Sequence, residues 1–312
     1  MAIVLENNLL RLTIEEPGQV YRNSRFDWTG NISQILFENK FSFCSAETTG
    51  DFNGERHGQG LYNEFGIVKP IGYEDCAEGE KFPKIGVGLL TKKNNEAYGF
   101  FMTYDIDPFD IQIETGKEWA RFTVLPRDCR GYSTKLFKTI KLSGNSFTID
   151  YELVNTGTQK IHTNEYCHNF IAINSSNIDE HYTLRVPFEI KKPSSMIEAV
   201  NPGNAVILNK NSVNFNFTPG KDFFFSPLTE FRSEPGEWEI THDRIGVGMQ
   251  EITDFNPELM NLWGSKHVIS PELFIEIDLE PGQRQKWRRS YKFYHHNQAY
   301  SQEIIKKTDT NG

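Results

Sequence analysis

Apolar and polar residues alternate with a period of two along most of this chain, and no convincing helical periodicity interrupts them. The clearest run places Phe147, Ile149, Tyr151 and Leu153 on one face and Thr148, Asp150 and Glu152 on the other. That is the pattern of a half-buried strand, whose successive side chains point to opposite faces. It follows 135–143 across Gly144 and Asn145, a spacing short enough for a hairpin. A second hairpin is predicted near the C-terminus: Ile275, Ile277 and Leu279 alternate with Glu276, Asp278 and Glu280, then Pro281 and Gly282 turn the chain into 285–293. Further strands are predicted over 3–14, 31–37, 40–43, 86–90, 100–104, 119–125, 182–187, 213–217 and 237–241. Clusters of Gly, Pro, Asn and Asp separate them, the punctuation of an antiparallel sandwich or barrel.

No linker rich in Pro, Gly or Ser divides the chain, and no repeat or low-complexity segment stands out. The expectation is one all-β, antiparallel domain over 1–296, followed by a polar tail over 297–312 that begins as a short helix and frays at its end. The aromatic share of 13%, with 24 Phe, supports strands, because flat side chains pack well on a pleated surface.

Charge and composition then remove several functions. Lys plus Arg number 33 against 42 Asp plus Glu, a net charge of −9, whereas gripping nucleic-acid phosphates takes clustered positive charge. No stretch approaches the ~18–20 consecutive apolar residues that span a bilayer, so no membrane partner is expected. The first residues lack a basic n-region and a small-residue cleavage site, which reads as an unprocessed cytoplasmic protein. Cys44, Cys76, Cys129 and Cys167 form no CxxC pair and are expected as reduced thiols. His295 and His296 are adjacent on a predicted strand and point to opposite faces, so zinc is not expected. The glycine-rich segment 54–67, GERHGQGLYNEFGI, lacks the GxxxxGK[ST] pattern of a phosphate loop, and no GxSxG elbow offers a serine nucleophile.

Four polar clusters are left. Segment 163–170, TNEYCHNF, places Glu165, Cys167 and Asn169 on one face of a strand and Tyr166, His168 and Phe170 on the other. His168 is then either a packed core histidine or a base on an aromatic wall. Segment 263–272, WGSKHVISPE, carries Trp263, His267 and Glu272, with Pro271 restraining the backbone just before the carboxylate at a strand start. Glu272 is either a fixed base or a solvated turn glutamate. Segment 25–30, RFDWTG, supplies Arg25, and the glycine-rich segment supplies His57 and Glu64. Lys84, in FPKIGVG, either projects into a cleft or snorkels along the surface. Acid–base work by Glu and His on a sugar fits this inventory, since aromatic faces and carboxylate or amide edges match a sugar's ring faces and hydroxyl rim.

In their order along the chain, RFDWTG before the strand NISQILF, then YNEFGI, TNEYCHNF, the carboxylate before the Pro281–Gly282 turn and the last strand WRRSYKFY resemble an aldose 1-epimerase. The likeness is to the galactose mutarotase-like superfamily and extends over most of the chain. It implies a β-supersandwich that binds an aldose, a small-molecule sugar, in an open cleft without metal or cofactor, as a monomer or homodimer. It implies that a glutamate removes the anomeric hydroxyl proton while a histidine protonates the ring oxygen, the two on opposite sides of the hemiacetal. Glu272 matches that glutamate. The family's TNHxYFN, laid directly on TNEYCHNF, puts its histidine on Glu165, with His168 three places later, so His168 and Glu165 are both candidates for the acid. Arg25, His57, Glu64, Lys84, Asn169, Trp263 and His267 are the expected sugar-binding residues. The alternatives are a catalytically silent sugar-binding protein of the same fold, or an epimerase for acidic or phosphorylated sugars.

Overall fold

The computed structural model of the protein describes residues 2–229, 231 and 234–296; the predicted tail, 297–312, lies outside them. Two ten-stranded antiparallel sheets carry the architecture. The first runs, edge to edge, through Ala2–Glu6, Leu10–Glu15, Ile32–Phe37, Leu61–Phe65, Ile161–Asn169, Val268–Leu279, Leu259–Ser265, Phe223–Thr229 and Glu198–Val200, with Phe41–Ser42 paired to Ile32–Phe37. The second runs through Val206–Leu208, Ser212–Phe215, Tyr182–Arg185, Glu237–His242, Val247–Thr253, Arg284–His295, Ser146–Asn155, Thr134–Ser143, Trp119–Val124 and Ile111–Thr115. A small third sheet of Lys81–Lys84, Gly88–Thr91 and Ile106–Pro108 stands apart from both. Ile35, Ile161 and Ile277 of the first sheet share one buried core with Ile140, Ile149 and Trp287 of the second. None of the described helices is long and apolar enough to cross a membrane.

The period-two reading holds where burial enforces it. Over Ser146–Asn155 burial alternates residue by residue, and Ser143 pairs with Ser146 across Gly144, whose φ of 58° suits glycine in a tight turn. The predicted C-terminal hairpin is not one. Val268–Leu279 lies in the first sheet and Arg284–His295 in the second, so the turn at Pro281–Gly282 carries the chain across the sandwich. The turn is tied to a third strand: the Gly282 N–H donates to Asn155 O, and the Asn155 N–H to Gln283 O. Alternation could not separate the two arrangements, because both strands bury one face against the same core.

Three smaller expectations change. Segment 3–14 is two strands, since Asn7 Oδ1 accepts from the N–H groups of Leu9 and Leu10 and turns the chain there. Residues 100–104 form no strand; Phe100 and Phe101 pack over Arg25 instead of joining a ladder. Glu272 lies within the twelve-residue strand Val268–Leu279, not at a strand start.

Candidate active site

Ile161–Asn169 lies between Leu61–Phe65 and Val268–Leu279, so it is covered on both edges and only its two faces differ. One face turns to the space between the sheets and carries Glu165, Cys167 and Asn169; the other carries Tyr166 and His168, which line an open cleft. Tyr166 pairs with Phe274 on the neighbouring strand. Continuing that antiparallel register by two residues sets His168 opposite Glu272. Nδ1 of His168 lies 3.3 Å from Oε1 of Glu272. Ser270 Oγ touches both, 2.8 Å from His168 Nδ1 and 3.1 Å from Glu272 Oε1, and accepts the Asn169 N–H at 3.0 Å.

Both side chains are almost out of water, each at 6% exposure. Burial disfavours each charged form. It pushes the Glu272 carboxyl up to about 8, against the opposing pull of Arg25 and the Ser270 hydroxyl. It pushes His168 well below the ordinary imidazole range, and the Arg25 charge adds to that. Both shifts favour a neutral carboxyl beside a neutral imidazole.

The imidazole is held by aromatic faces. It stacks on Phe170, centroids 3.9 Å apart and planes at 15°, and Trp263 meets it edge-on at 5.3 Å. Gly58 passes so close beneath this stack that a Cβ there would lie 2.4 Å from Phe170 Cε2. A larger residue at 58 would displace Phe170 and the imidazole with it.

Arg25 closes one side. Its Nε donates to Glu64 Oε2 at 3.0 Å, Nη1 to Glu47 Oε1 at 3.0 Å and Nη2 to the Tyr166 hydroxyl at 3.2 Å. Its planar group lies 4.6 Å from the ring centre of Phe26 and 4.7 Å from that of Phe100. Glu64 is wholly buried behind it and also accepts from Lys84 Nζ at 3.3 Å and from the Tyr166 hydroxyl at 2.8 Å. Two cations thus meet two carboxylates, Glu47 and Glu64, and Arg25 brings no uncompensated positive charge to the cleft.

The cleft measures about 780 Å³. Of the residues singled out from the sequence, Arg25, His168, Trp263, His267 and Glu272 line it. The others lie elsewhere. Glu165 is fully buried between the sheets, where it accepts from Arg289 Nη2 at 2.8 Å, Trp287 Nε1 at 3.2 Å and Asn63 Nδ2 at 2.5 Å. It faces away from the cleft, because an odd offset along a strand reverses the side-chain direction. Asn169 shares that inner face and donates to Pro271 O at 2.7 Å and Glu251 Oε2 at 3.3 Å. Glu64 and Lys84 form the layer behind Arg25; Lys84 is buried against Glu64 and Gly66 O and neither enters the cleft nor snorkels. His57 stays in its own loop, where Nδ1 accepts the Asn53 N–H at 3.1 Å.

Sequence reasoning missed Glu47, Thr48, Phe100, Phe101 and Asn261, all of which line the cleft. Only Asn261 left a legible signal: it is two residues from Trp263 and hence on the same strand face, and it pairs with Glu272. Phe101, at the lip, is 79% exposed. Thr48 Oγ1, Asn261 Oδ1 and His267 Nδ1 have no hydrogen-bond partner.

No protein-family model matches the sequence, and no curated protein matches it. Solved structures do. A galactose mutarotase-like protein from Lactobacillus casei aligns over 94% of this chain and 100% of its own with a TM-score of 0.55 and 14% identity. A galactose mutarotase-like protein from Clostridium acetobutylicum aligns over 94% and 95%, with a TM-score of 0.55 and 10% identity. A GalM/aldose epimerase homologue from C. elegans aligns over 95% and 99%, with a TM-score of 0.52 and 11% identity. The chain has the galactose mutarotase-like fold, a β-supersandwich.

Proposed function

We propose that this protein is an aldose 1-epimerase, interconverting the α and β anomers of an uncharged sugar by acid–base catalysis at Glu272 and His168. The observation that carries the proposal is the 3.3 Å contact between a buried carboxyl and a buried imidazole on an aromatic-walled cleft. Opening a pyranose needs one proton taken from the anomeric hydroxyl and one given to the ring oxygen. Both oxygens are bonded to the same carbon, so an adjacent acid and base can serve them without standing on opposite sides of the hemiacetal.

The neutral pair holds one proton to give and one lone pair to receive. Glu272 protonates the ring oxygen while His168 takes the hydroxyl proton; the bond from the anomeric carbon to the ring oxygen breaks and the carbonyl forms. The pair is left as carboxylate and imidazolium, 3.3 Å apart. Rotation of the carbonyl and reclosure on its other face return both protons. The opposite distribution, glutamate as base and histidine as acid, is a different step that carries the same number of protons and gives the same pH dependence. Each well-placed group contributes about 10²–10⁴-fold. Trp263 and Phe101 offer ring faces on the cleft walls.

An uncharged substrate follows from the charge around the site. Arg25 and Lys84 are engaged by Glu47 and Glu64, while Asp222 and Glu198 add carboxylates at the rim. A phosphoryl or carboxylate group would meet net repulsion. The experiment is anomer exchange followed by NMR or polarimetry on freshly dissolved α-glucose and α-galactose. Faster equilibration than in buffer is expected; sugar binding without acceleration would replace this reading with a silent sugar-binding protein.

A further inference from the structure

A proline sits inside a central strand. Val268–Leu279 is covered on both edges, by Ile161–Asn169 and Leu259–Ser265, yet its Pro271 has no N–H to give to a neighbour. Proline is ordinarily confined to edge strands and bulges for that reason. The effect falls beside the acid–base pair. Paired residues run from Ile161 and Leu279 to Tyr166 and Phe274, and the chain segments meet again at Ile171 and Ile269, which donate their N–H groups to each other's carbonyls. Five residues advance on each side, so no bulge intervenes. The register is kept while the ladder stands open over 167–170 and 270–273.

Two residues before Ile171, the alternation of an antiparallel ladder makes Asn169 and Pro271 a pair that would exchange both backbone bonds. They are joined by other means. Asn169 Nδ2 lies 2.7 Å from Pro271 O, so the side chain takes the acceptor that the main chain would use. The Asn169 N–H is left to donate to Ser270 Oγ at 3.0 Å, and that hydroxyl touches both His168 Nδ1 and Glu272 Oε1. The amide is fixed from behind. Its Oδ1 accepts from the Tyr291 hydroxyl at 3.2 Å, and its Nδ2 lies 3.3 Å from Glu251 Oε2, a carboxylate held by Trp238 and Arg289. Arg289 Nη2 also donates to Leu273 O at 2.9 Å, meeting a second carbonyl of the opening.

We propose that Asn169 is a positioning residue: its side-chain amide replaces the ladder bond at Pro271, which leaves its backbone N–H to hold the Ser270 hydroxyl between His168 and Glu272. The role serves the activity proposed above and rests on that reading. The test compares the wild type with Asn169→Leu, Pro271→Ala, Ser270→Ala and the double variant Asn169→Leu/Ser270→Ala. It measures anomer exchange of glucose and galactose against pH, the melting temperature, and the titration of the Glu272 carboxyl by carbon NMR. Asn169→Leu keeps the forked shape and loses the amide, so its N–H can return to Pro271 O. Its kcat per folded molecule is expected to fall about 10- to 100-fold, with KM changed less than about threefold. Burial raises the Glu272 carboxyl and the Ser270 hydroxyl draws it back, while Arg25 and Glu64 act on it alike in every variant. The basic limb and the NMR titration should therefore both move above about 8. Pro271→Ala restores the missing donor and leaves the buried layer intact; it should move kcat and the titration the same way without lowering the melting temperature. Because Asn169 acts through Ser270, the double variant should lose no more rate than Ser270→Ala. Losses that multiply in the double variant, or a titration that neither Asn169→Leu nor Pro271→Ala moves, would overturn the proposal and leave the epimerase reading standing. A titration moved by both, in a protein that exchanges no sugar, would uphold the hold of Asn169 on Ser270 and remove the epimerase.

Discussion

Ser270 Oγ stands between His168 and Glu272, within hydrogen-bond distance of both while accepting the backbone N–H of Asn169. The hydroxyl has one proton to donate, so its orientation is coupled to which member of the pair carries the transferable proton. The site therefore acts as a unit of three side chains on two adjacent strands.

Replacing Glu272 with Gln keeps the shape and removes the exchangeable proton. We expect anomer exchange to fall by about 10²–10⁴-fold with sugar binding retained. A rate equal to the wild type in the NMR assay would exclude Glu272 from the chemistry.

In the proposed mechanism the pair works with a single proton, which sets the pH profile. Glu272 loses its proton as pH rises through about 8, and His168 gains one only as pH falls well below 6.5. A plot of kcat/KM against pH should show a plateau around neutrality with its basic limb near 8. A sole limb near 4–5, the ordinary carboxylate range, would contradict the neutral pair.

Stability is linked to the same shifts. A carboxyl raised on folding binds its proton more tightly in the native state, so Glu272 erodes stability as pH climbs from 4.5 towards about 8. His168, lowered on folding, erodes it as pH drops below 6.5. Thermal melts should show Glu272→Gln more stable than the wild type at pH 9, by a few kcal/mol at most, with the gap closing by about pH 4–5. A gap independent of pH would point to packing instead.

In the proposed mechanism Ser270 acts as a positioning residue, and its removal has its own signature. Its hydroxyl pulls the Glu272 carboxyl down. Ser270→Ala should move the basic limb of kcat/KM upward and lower kcat more than it raises KM. A fall in rate with the limb unmoved would reduce Ser270 to a packing role.

Glu165 belongs to the buried seam between the sheets and not to the cleft. Together with Glu251 it flanks the guanidinium of Arg289, with all three side chains fully buried. Breaking such a pair costs about 3–5 kcal/mol. Glu165→Ala should lower the melting temperature sharply while the rate per folded molecule falls far less than in Glu272→Gln. Equal losses of rate would return Glu165 to the chemistry.

Local rules in the sequence determined the side-chain facing of the strands they picked out, though they placed a strand over 100–104 that does not form. Alternation in TNEYCHNF separates Glu165 and Asn169 from Tyr166 and His168, because side-chain direction in a strand is set by parity alone. The direct overlay of TNHxYFN obscured this, since it lands a catalytic histidine on the parity that faces the interior. Which strands are neighbours is a long-range matter that parity does not encode. Only the tertiary structure decided that Val268–Leu279 pairs with Ile161–Asn169, that His168 meets Glu272 at 3.3 Å, and that the chain crosses between sheets at Pro281–Gly282. Loops from distant parts of the chain brought Glu47, Thr48, Phe100 and Phe101 to the cleft. Glu47, Phe100 and Phe101 are placed by their contacts with Arg25, interactions that no local pattern records.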